Sequence, residues 1–172
     1  DVLDMSKLES DEVVLEEIPF QLGSIFEEIL VVIEQIAAKR NIRIVWEKKE
    51  VIHWNLIGSP GYVKRIMMNI LSNAVKYNKE GGWVRISINT DHKYFYVKVE
   101  DSGIGIPEDV QDRIFERFYR VDKARSRETG GSGLGLAITR NVVLMHKGAI
   151  KLSSKEGEGS TFTLRIPLNY IA

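Results

Sequence analysis

Two stretches of this chain, Trp83 to Asn89 and Tyr94 to Glu100, alternate apolar with polar residues, setting Val84, Ile86 and Ile88 on one side and likewise Phe95, Val97 and Val99. Residues two apart point the same way from a strand, so the pair predicts a β-hairpin with one apolar face. An apolar sheet face must be covered, and the chain carries its cover in helical spacing. From Leu22 to Arg40 the residues Ile25, Phe26, Ile29, Val32, Ile33, Ile36 and Ala37 recur three and four apart, which marks an amphipathic helix. Ser59-Pro60 is a helix start, with a capping hydroxyl and a first-turn proline, and Gly81 and Gly82 lie beyond a stop near Asn78. Its buried stripe is Ile66, Met67, Ile70, Leu71, Ala74 and Val75. Gly135 to His146 is a third apolar helix, and Pro107, followed by Glu108 and Asp109, opens a further one to about Phe118.

Strands are expected at Val13 to Ile18, ended by Pro19, at Ile42 to Glu47, at Val51 to Ile57, and at Ala149 to Ser153 and Thr161 to Pro167, which form a second hairpin. The fold class is α/β: a two-layer sandwich with a mixed sheet of about five strands and three main helices on one face. Residues 1–9 read as a helix end and Glu9 to Glu12 as its exit, dividing the chain into 1–12 and a domain at 13–172.

Charge narrows the function. The 172 residues hold 24 Lys plus Arg and 24 Asp plus Glu, and a net charge of zero argues against a nucleic-acid partner. Residues 1–18 carry seven acids and one Lys, whereas residues 113–127 carry six bases and two acids. That basic block is either a solvated face or a site for an anion or partner. The longest apolar run is Ile29 to Ile33, far short of the roughly 20 residues that span a bilayer. With no Cys there is no disulfide framework and no thiolate nucleophile.

Four positions of the second helix carry polar chemistry on nearly one face, opposite its apolar stripe: Asn69, Asn73, Lys76 and Tyr77. The Asn pair is either idle solvated amide or a hard-ligand pair for a magnesium ion that also binds phosphates, with Lys76 as a point charge. Asp101 ends a strand ahead of Ser102-Gly103-Ile104-Gly105-Ile106-Pro107. This is either a plain turn or a place where backbone approaches a ligand and the carboxylate accepts from an exocyclic amine such as adenine's. Gly130, Gly131, Gly133 and Gly135 lead into the third helix, where successive N–H groups can hold an anion. Neither glycine cluster is a dinucleotide fingerprint, because Glu108 stands where the first needs a third Gly and the second follows a loop; a P-loop is absent.

In order, Asn69-Ile-Leu-Ser-Asn73-Ala-Val-Lys76-Tyr77, Asp101-Ser-Gly-Ile-Gly105, Ile114-Phe-Glu-Arg-Phe118-Tyr-Arg120 and Gly131-Ser-Gly-Leu-Gly135-Leu resemble the asparagine, first glycine, phenylalanine and second glycine boxes of sensor histidine kinases. Gly157-Glu-Gly159-Ser-Thr161-Phe162 is similar to the last glycine box, and Asp1 to Glu9 to the end of the family's dimerisation helix. The resemblance covers essentially the whole chain and implies a Bergerat-type ATP site. On that resemblance Asp101 binds the adenine amine and Tyr77 flanks the ring, with Gly103, Gly105 and Ile106 beside them and Thr161 on the last glycine box. Asn73 holds Mg2+ with Asn69 next to it, and Lys76 and Arg120 neutralise phosphate charge. The backbone of Gly131, Ser132, Gly133, Leu134, Gly135 and Leu136 closes on the phosphates, and Tyr119 opens a mobile lid running to Gly130, anchored by Phe115 and Phe118. Asn69, Lys76 and Arg120 are the expected catalytic set.

Relatives that hydrolyse ATP have Glu four residues before the magnesium Asn. Here Asn69 stands there, and a carboxamide is a poor base, which favours transfer to a protein acceptor over hydrolysis. His53, His92 and His146 all lack the family's acceptor context, so the phosphoacceptor His is expected on a dimerisation domain absent from this chain. The implied partners are that domain and the receiver domain of a response regulator. The resemblance also implies a homodimeric, membrane-bound parent and a monomeric cytoplasmic fragment. The alternatives are a non-catalytic nucleotide-binding scaffold, a Ser kinase of the same fold, or, from Asp101-Ser-Gly alone, an aspartic protease; the helices do not suit that all-β enzyme.

Overall fold

The structure, a computed structural model, describes residues 18–48, 55–91, 93–115 and 135–168. The readings for residues 1–17 and 116–134 lie outside the described residues, including those for Phe118, Tyr119, Arg120, Gly131, Ser132, Gly133 and Leu134, as do those for His53 and His92. In chain order the elements are β1 (Ile18–Gln21), α1 (Leu22–Ala38), β2 (Arg43–Lys48), β3 (Asn55–Gly58), α2 (Pro60–Lys76), β4 (Trp83–Thr90), β5 (Tyr94–Asp101), a 3-10 helix (Glu108–Arg113), α3 (Gly135–Met145), β6 (Ala149–Lys155) and β7 (Gly159–Pro167).

The main sheet has the order β2-β4-β5-β7-β6. β2 runs parallel to β4, and every other pair in it is antiparallel. A parallel pair needs a long crossover, and the chain from β2 back to β4 contains α2, which thereby lies across the sheet. β1 and β3 form a separate two-stranded antiparallel ribbon.

The alternation sets the layers. Val84, Ile86, Ile88, Phe95, Val97, Val99, Leu164 and Ile166 are at most 1% exposed and meet the buried rows of the helices: Phe26, Ile29 and Ile33 of α1, Ile66, Ile70 and Val75 of α2, and Ile138, Val142 and Val143 of α3. Phe26 anchors the layer contact, its ring centroid 5.3 Å from that of Trp46 and 6.4 Å from that of Phe95. The opposite sheet face is polar: Arg85 reaches Glu100 at 3.6 Å, Lys98 reaches Glu100 at 2.7 Å, and the Arg165 guanidinium lies 4.7 Å above the Tyr94 ring. Such solvated pairs add little stability, but they keep that face wet.

Three local expectations are corrected. β1 passes through Pro19, which stands opposite Ile57, a placement open to proline in a two-stranded ribbon. The helix after Pro107 is a short 3-10 helix with no fully buried residue. Too few apolar groups recur there to offset the cost of nucleating an α-helix. It is tied instead by Gln111, whose amide donates to Ile106 O at 2.9 Å and Ser154 O at 3.0 Å. The Ser59 hydroxyl makes no capping bond to α2; the Ser59 N–H donates to His146 Nε2 at 3.3 Å.

Candidate functional site

α2 lies between α1 and α3 and carries the polar face. Asn69, Asn73, Lys76 and Tyr77 are all half-buried. At 100° per residue Asn73 and Tyr77 flank the buried stripe of Val63, Ile66, Met67, Ile70, Leu71, Ala74 and Val75, whereas Asn69 and Lys76 stand nearly opposite it. Tyr77 is the C-cap residue, and its N–H donates to Asn73 O at 3.0 Å.

Asp101 ends β5 on the helix-facing side, in phase with Phe95, Val97 and Val99. Its Oδ1 accepts from Gly103 N–H at 2.9 Å and from Ser160 N–H at 3.2 Å. Oδ2 accepts from no group among the described residues. Burial pushes the carboxyl up to about 6, against the two N–H bonds, which favour the ionised form. A held, half-buried carboxylate with one unused oxygen suits an amine donor presented by a ligand.

The loop after Asp101 is fastened on both sides. Ile104 N–H donates to Tyr77 O at 3.1 Å, Gly157 N–H donates to Ile104 O at 2.7 Å, and Ile106 N–H donates to Ser154 Oγ at 2.8 Å. A Cβ on Gly103 would stand 2.4 Å from Tyr77 O, and one on Gly105, at φ +69°, would stand 2.1 Å from Lys155 O. The close approach these glycines allow is therefore to the protein's own backbone, which is how the loop is held against α2 and against the β6–β7 turn.

The structure thus brings together Asn73, Lys76 and Tyr77 at the end of α2 with Asp101, Gly103, Gly105 and Ile106; Asn69 lies one turn back on α2. Gly135 and Leu136 open α3, which packs on α2. Thr161 is not brought to the site. It stands across from Glu100 on the polar sheet face, because Phe162, Leu164 and Ile166 take the core-facing phase of β7. Its neighbour Ser160 is the residue at Asp101, with its Oγ 2.8 Å from Ser154 Oγ. The sequence signal was the strand phase, which places Ser160 and not Thr161 with the core.

One further residue was missed. Asn78 is fully buried, with its amide donating to Trp83 O at 3.0 Å and its Oδ1 accepting from Ser102 Oγ at 3.0 Å. It links the end of α2 to the strand end that carries Asp101. His146 is 1% exposed, its Nδ1 2.8 Å from Val142 O and its Nε2 accepting from Ser59 N–H. Those partners fix the neutral tautomer, and burial lowers its pKa against the Val142 bond. With both ring nitrogens engaged it is a structural histidine, as its sequence context implies. No group of three or more His, Cys, Asp or Glu that could hold a metal occurs among the described residues. No described helix is long and apolar enough to cross a membrane.

Residues 58–170 match the family model described as histidine kinase-, DNA gyrase B- and HSP90-like ATPase. The sensor-like histidine kinase SenX3 of Mycolicibacterium smegmatis is 49% identical over 114 residues, which is 66% of this chain and 30% of SenX3. The chain thus spans about a third of that relative's length. Among solved structures, the catalytic domain of histidine kinase ThkA superposes with a TM-score of 0.77 at 27% identity, covering 90% of this chain and 97% of that domain. Full-length ShkA in complex with AMPPNP superposes with a TM-score of 0.82 at 26% identity, covering 96% of this chain and 34% of ShkA. Five-stranded sheet, one-sided helices and ordered boxes agree with these matches: the chain belongs to the histidine kinase-, DNA gyrase B- and HSP90-like ATPase family, as the ATP-binding catalytic domain carried by sensor histidine kinases.

Proposed function

We propose that this domain binds Mg-ATP and transfers its γ-phosphoryl group to a histidine on a dimerisation domain of the same kinase. The observation that carries the reading is the Asp101 carboxylate, held by two backbone N–H groups with its other oxygen unpaired among the described residues, and bonded through its loop to the helix end that presents Asn73, Lys76 and Tyr77. In this reading Asp101 accepts from the adenine amine, Tyr77 flanks the ring, and Ser160 holds the carboxylate. Asn73, with Asn69 beside it, offers carboxamide oxygens to Mg2+, and Lys76 places a charge near the phosphates. The metal, when bound, neutralises charge on the β- and γ-oxygens.

The new bond joins an imidazole nitrogen to the γ-phosphorus while the bond to the β–γ bridging oxygen breaks, and ADP leaves. Positioning and electrostatics supply most of the catalysis in such transfers. Arg120, Tyr119 and the Gly131 to Leu136 segment complete the inventory as phosphate and lid groups. Asn69 in the place of a general-base Glu favours an imidazole over water as acceptor. The buried His146 is unsuited to that role and His53 and His92 lack the family's acceptor context, which favours an acceptor on another domain. ThkA has been seen in complex with the response regulator TrrA, and a receiver domain is the natural onward acceptor here. The proposed parent is a homodimer anchored in the membrane, with this domain in the cytoplasm.

Isothermal titration with Mg-ATP tests the binding half, and no heat at millimolar nucleotide would overturn it. Incubation with labelled ATP and a purified acceptor helix pair tests the transfer. Label that survives alkali and is lost in acid is the expected result, whereas acid-stable label would favour a Ser kinase.

A further inference from the structure

The carbonyl end of α2 raises a question of accounting. The last carbonyls of an α-helix have no partner within the helix, and a half-buried end needs donors from elsewhere. No left-handed glycine cap follows here: Tyr77 is the C-cap at φ −97°. Instead the Arg40 guanidinium reaches in from the turn after α1. Its Nη1 donates to Val75 O and, at 2.7 Å, to Lys76 O; its Nη2 donates to Asn78 O at 2.5 Å. On the other side, Tyr77 O accepts from Ile104 N–H of the Asp101 loop. One planar cation thus serves carbonyls of three residues around Tyr77, and it places positive charge at the negative end of the helix dipole.

We propose that Arg40 is a positioning residue of the nucleotide site: by closing the carbonyl end of α2 it holds the turn that presents Lys76 and Tyr77 against the Asp101 loop. The inference rests on the nucleotide reading above and deepens it. Arg40 is bonded to the backbone of the helix end, and its own backbone is held in place, with Arg40 N–H donating to Ala37 O at 3.0 Å and Arg40 O accepting from Gly81 N–H at 3.3 Å. Without the guanidinium the last turn exchanges between ordered and frayed forms, and apparent affinity falls by the fraction that is competent. A lysine supplies one ammonium with three donors but no planar fork, so it restores part of the effect.

The test compares wild type, Arg40→Gln and Arg40→Lys by isothermal titration with Mg-ATP, at a temperature where melts show each variant folded. The expected result is a Kd raised roughly 10-fold in Arg40→Gln, with partial recovery in Arg40→Lys. Amide exchange should quicken at Ile104, which bonds Tyr77 O, and stay unchanged at Val97 in the core of β5. A lowered melting temperature with an unchanged Kd would overturn the proposal, because it would leave Arg40 only a stabilising role. Faster exchange everywhere would overturn it also. A wild-type chain that binds no Mg-ATP would overturn the nucleotide reading and the positioning role together, whereas wild-type binding with equal Kd in Arg40→Gln would overturn the positioning role alone.

Discussion

Replacing Asp101 by Asn should strengthen the fold while weakening the site. The carboxyl moves from 3.8 to about 6 on folding. At 1.36 kcal/mol per unit this corresponds to about 3 kcal/mol of stability withheld by the buried charge at neutral pH, an upper bound because the residue is only half-buried. Between those two values the folded state binds more protons than the unfolded one, so wild-type stability contributed by this group rises as pH falls and is lowest above about 6. An asparagine keeps an oxygen for Gly103 N–H and Ser160 N–H and carries no charge. Urea unfolding at about pH 8 should therefore show Asp101→Asn more stable by about 1–3 kcal/mol, and at about pH 4 the difference should shrink to below about 1 kcal/mol. The denaturant slope should not change, which would confirm that the unfolding transition is the same. The same substitution turns an acceptor into a donor opposite the adenine amine, and the Kd for Mg-ATP should rise by about 10- to 100-fold. A stability difference that is independent of pH, or a variant less stable at pH 8, would refute the burial argument; an unchanged Kd would refute the adenine assignment.

Other expectations follow from the same geometry. His146 has its pKa depressed by burial, so its contribution to stability is complete above the ordinary 6.5 and is lost as pH falls from there toward the folded value. In the Asp101→Asn background, stability should decline on acidification through that window, and an imidazole titrating at or above 6.5 by NMR would contradict the burial. Gly105→Ala places a Cβ 2.1 Å from Lys155 O at a positive φ and should cost about 2 kcal/mol or more in urea unfolding; Gly61→Ala, which meets nothing within 4 Å in α2, should stabilise by up to about 1 kcal/mol. Ser160→Ala removes the Ser154 hydroxyl contact beside Asp101 and should weaken Mg-ATP binding a few-fold, whereas Thr161→Val on the polar face should leave it unchanged. The reverse order in titrations would restore Thr161 to the site.

The local periods were legible because each is a property of neighbouring residues. Alternation over Trp83 to Asn89 and Tyr94 to Glu100 is a strand's own geometry, and Leu22 to Arg40 is a helix's. Boundaries shifted where tertiary pairing outweighed propensity: β1 runs through Pro19 because it has β3 to pair with, and the segment after Pro107 stays 3-10 because it has little to bury. The chemistry proposed for α2 and Asp101 rests on residue types at helical and strand-end spacing. Its placement was readable only in part, as Thr161 shows: a strand carries adjacent residues to opposite faces, so an assignment displaced by one residue falls on the wrong side of the sheet.

By itself, then, the sequence determined the elements, the single apolar face that makes two layers, and the ordered boxes that mark the family. The tertiary structure alone decided that β7 lies between β5 and β6, that Gly103 and Gly105 meet the protein's own carbonyls, and that Arg40 closes a helix ending 36 residues further on. The physical reason is range. Periodicity and capping act within a turn or two of chain, whereas a buried carbonyl takes its donor from whatever the fold brings within hydrogen-bond distance, and no local pattern announces which side chain that will be.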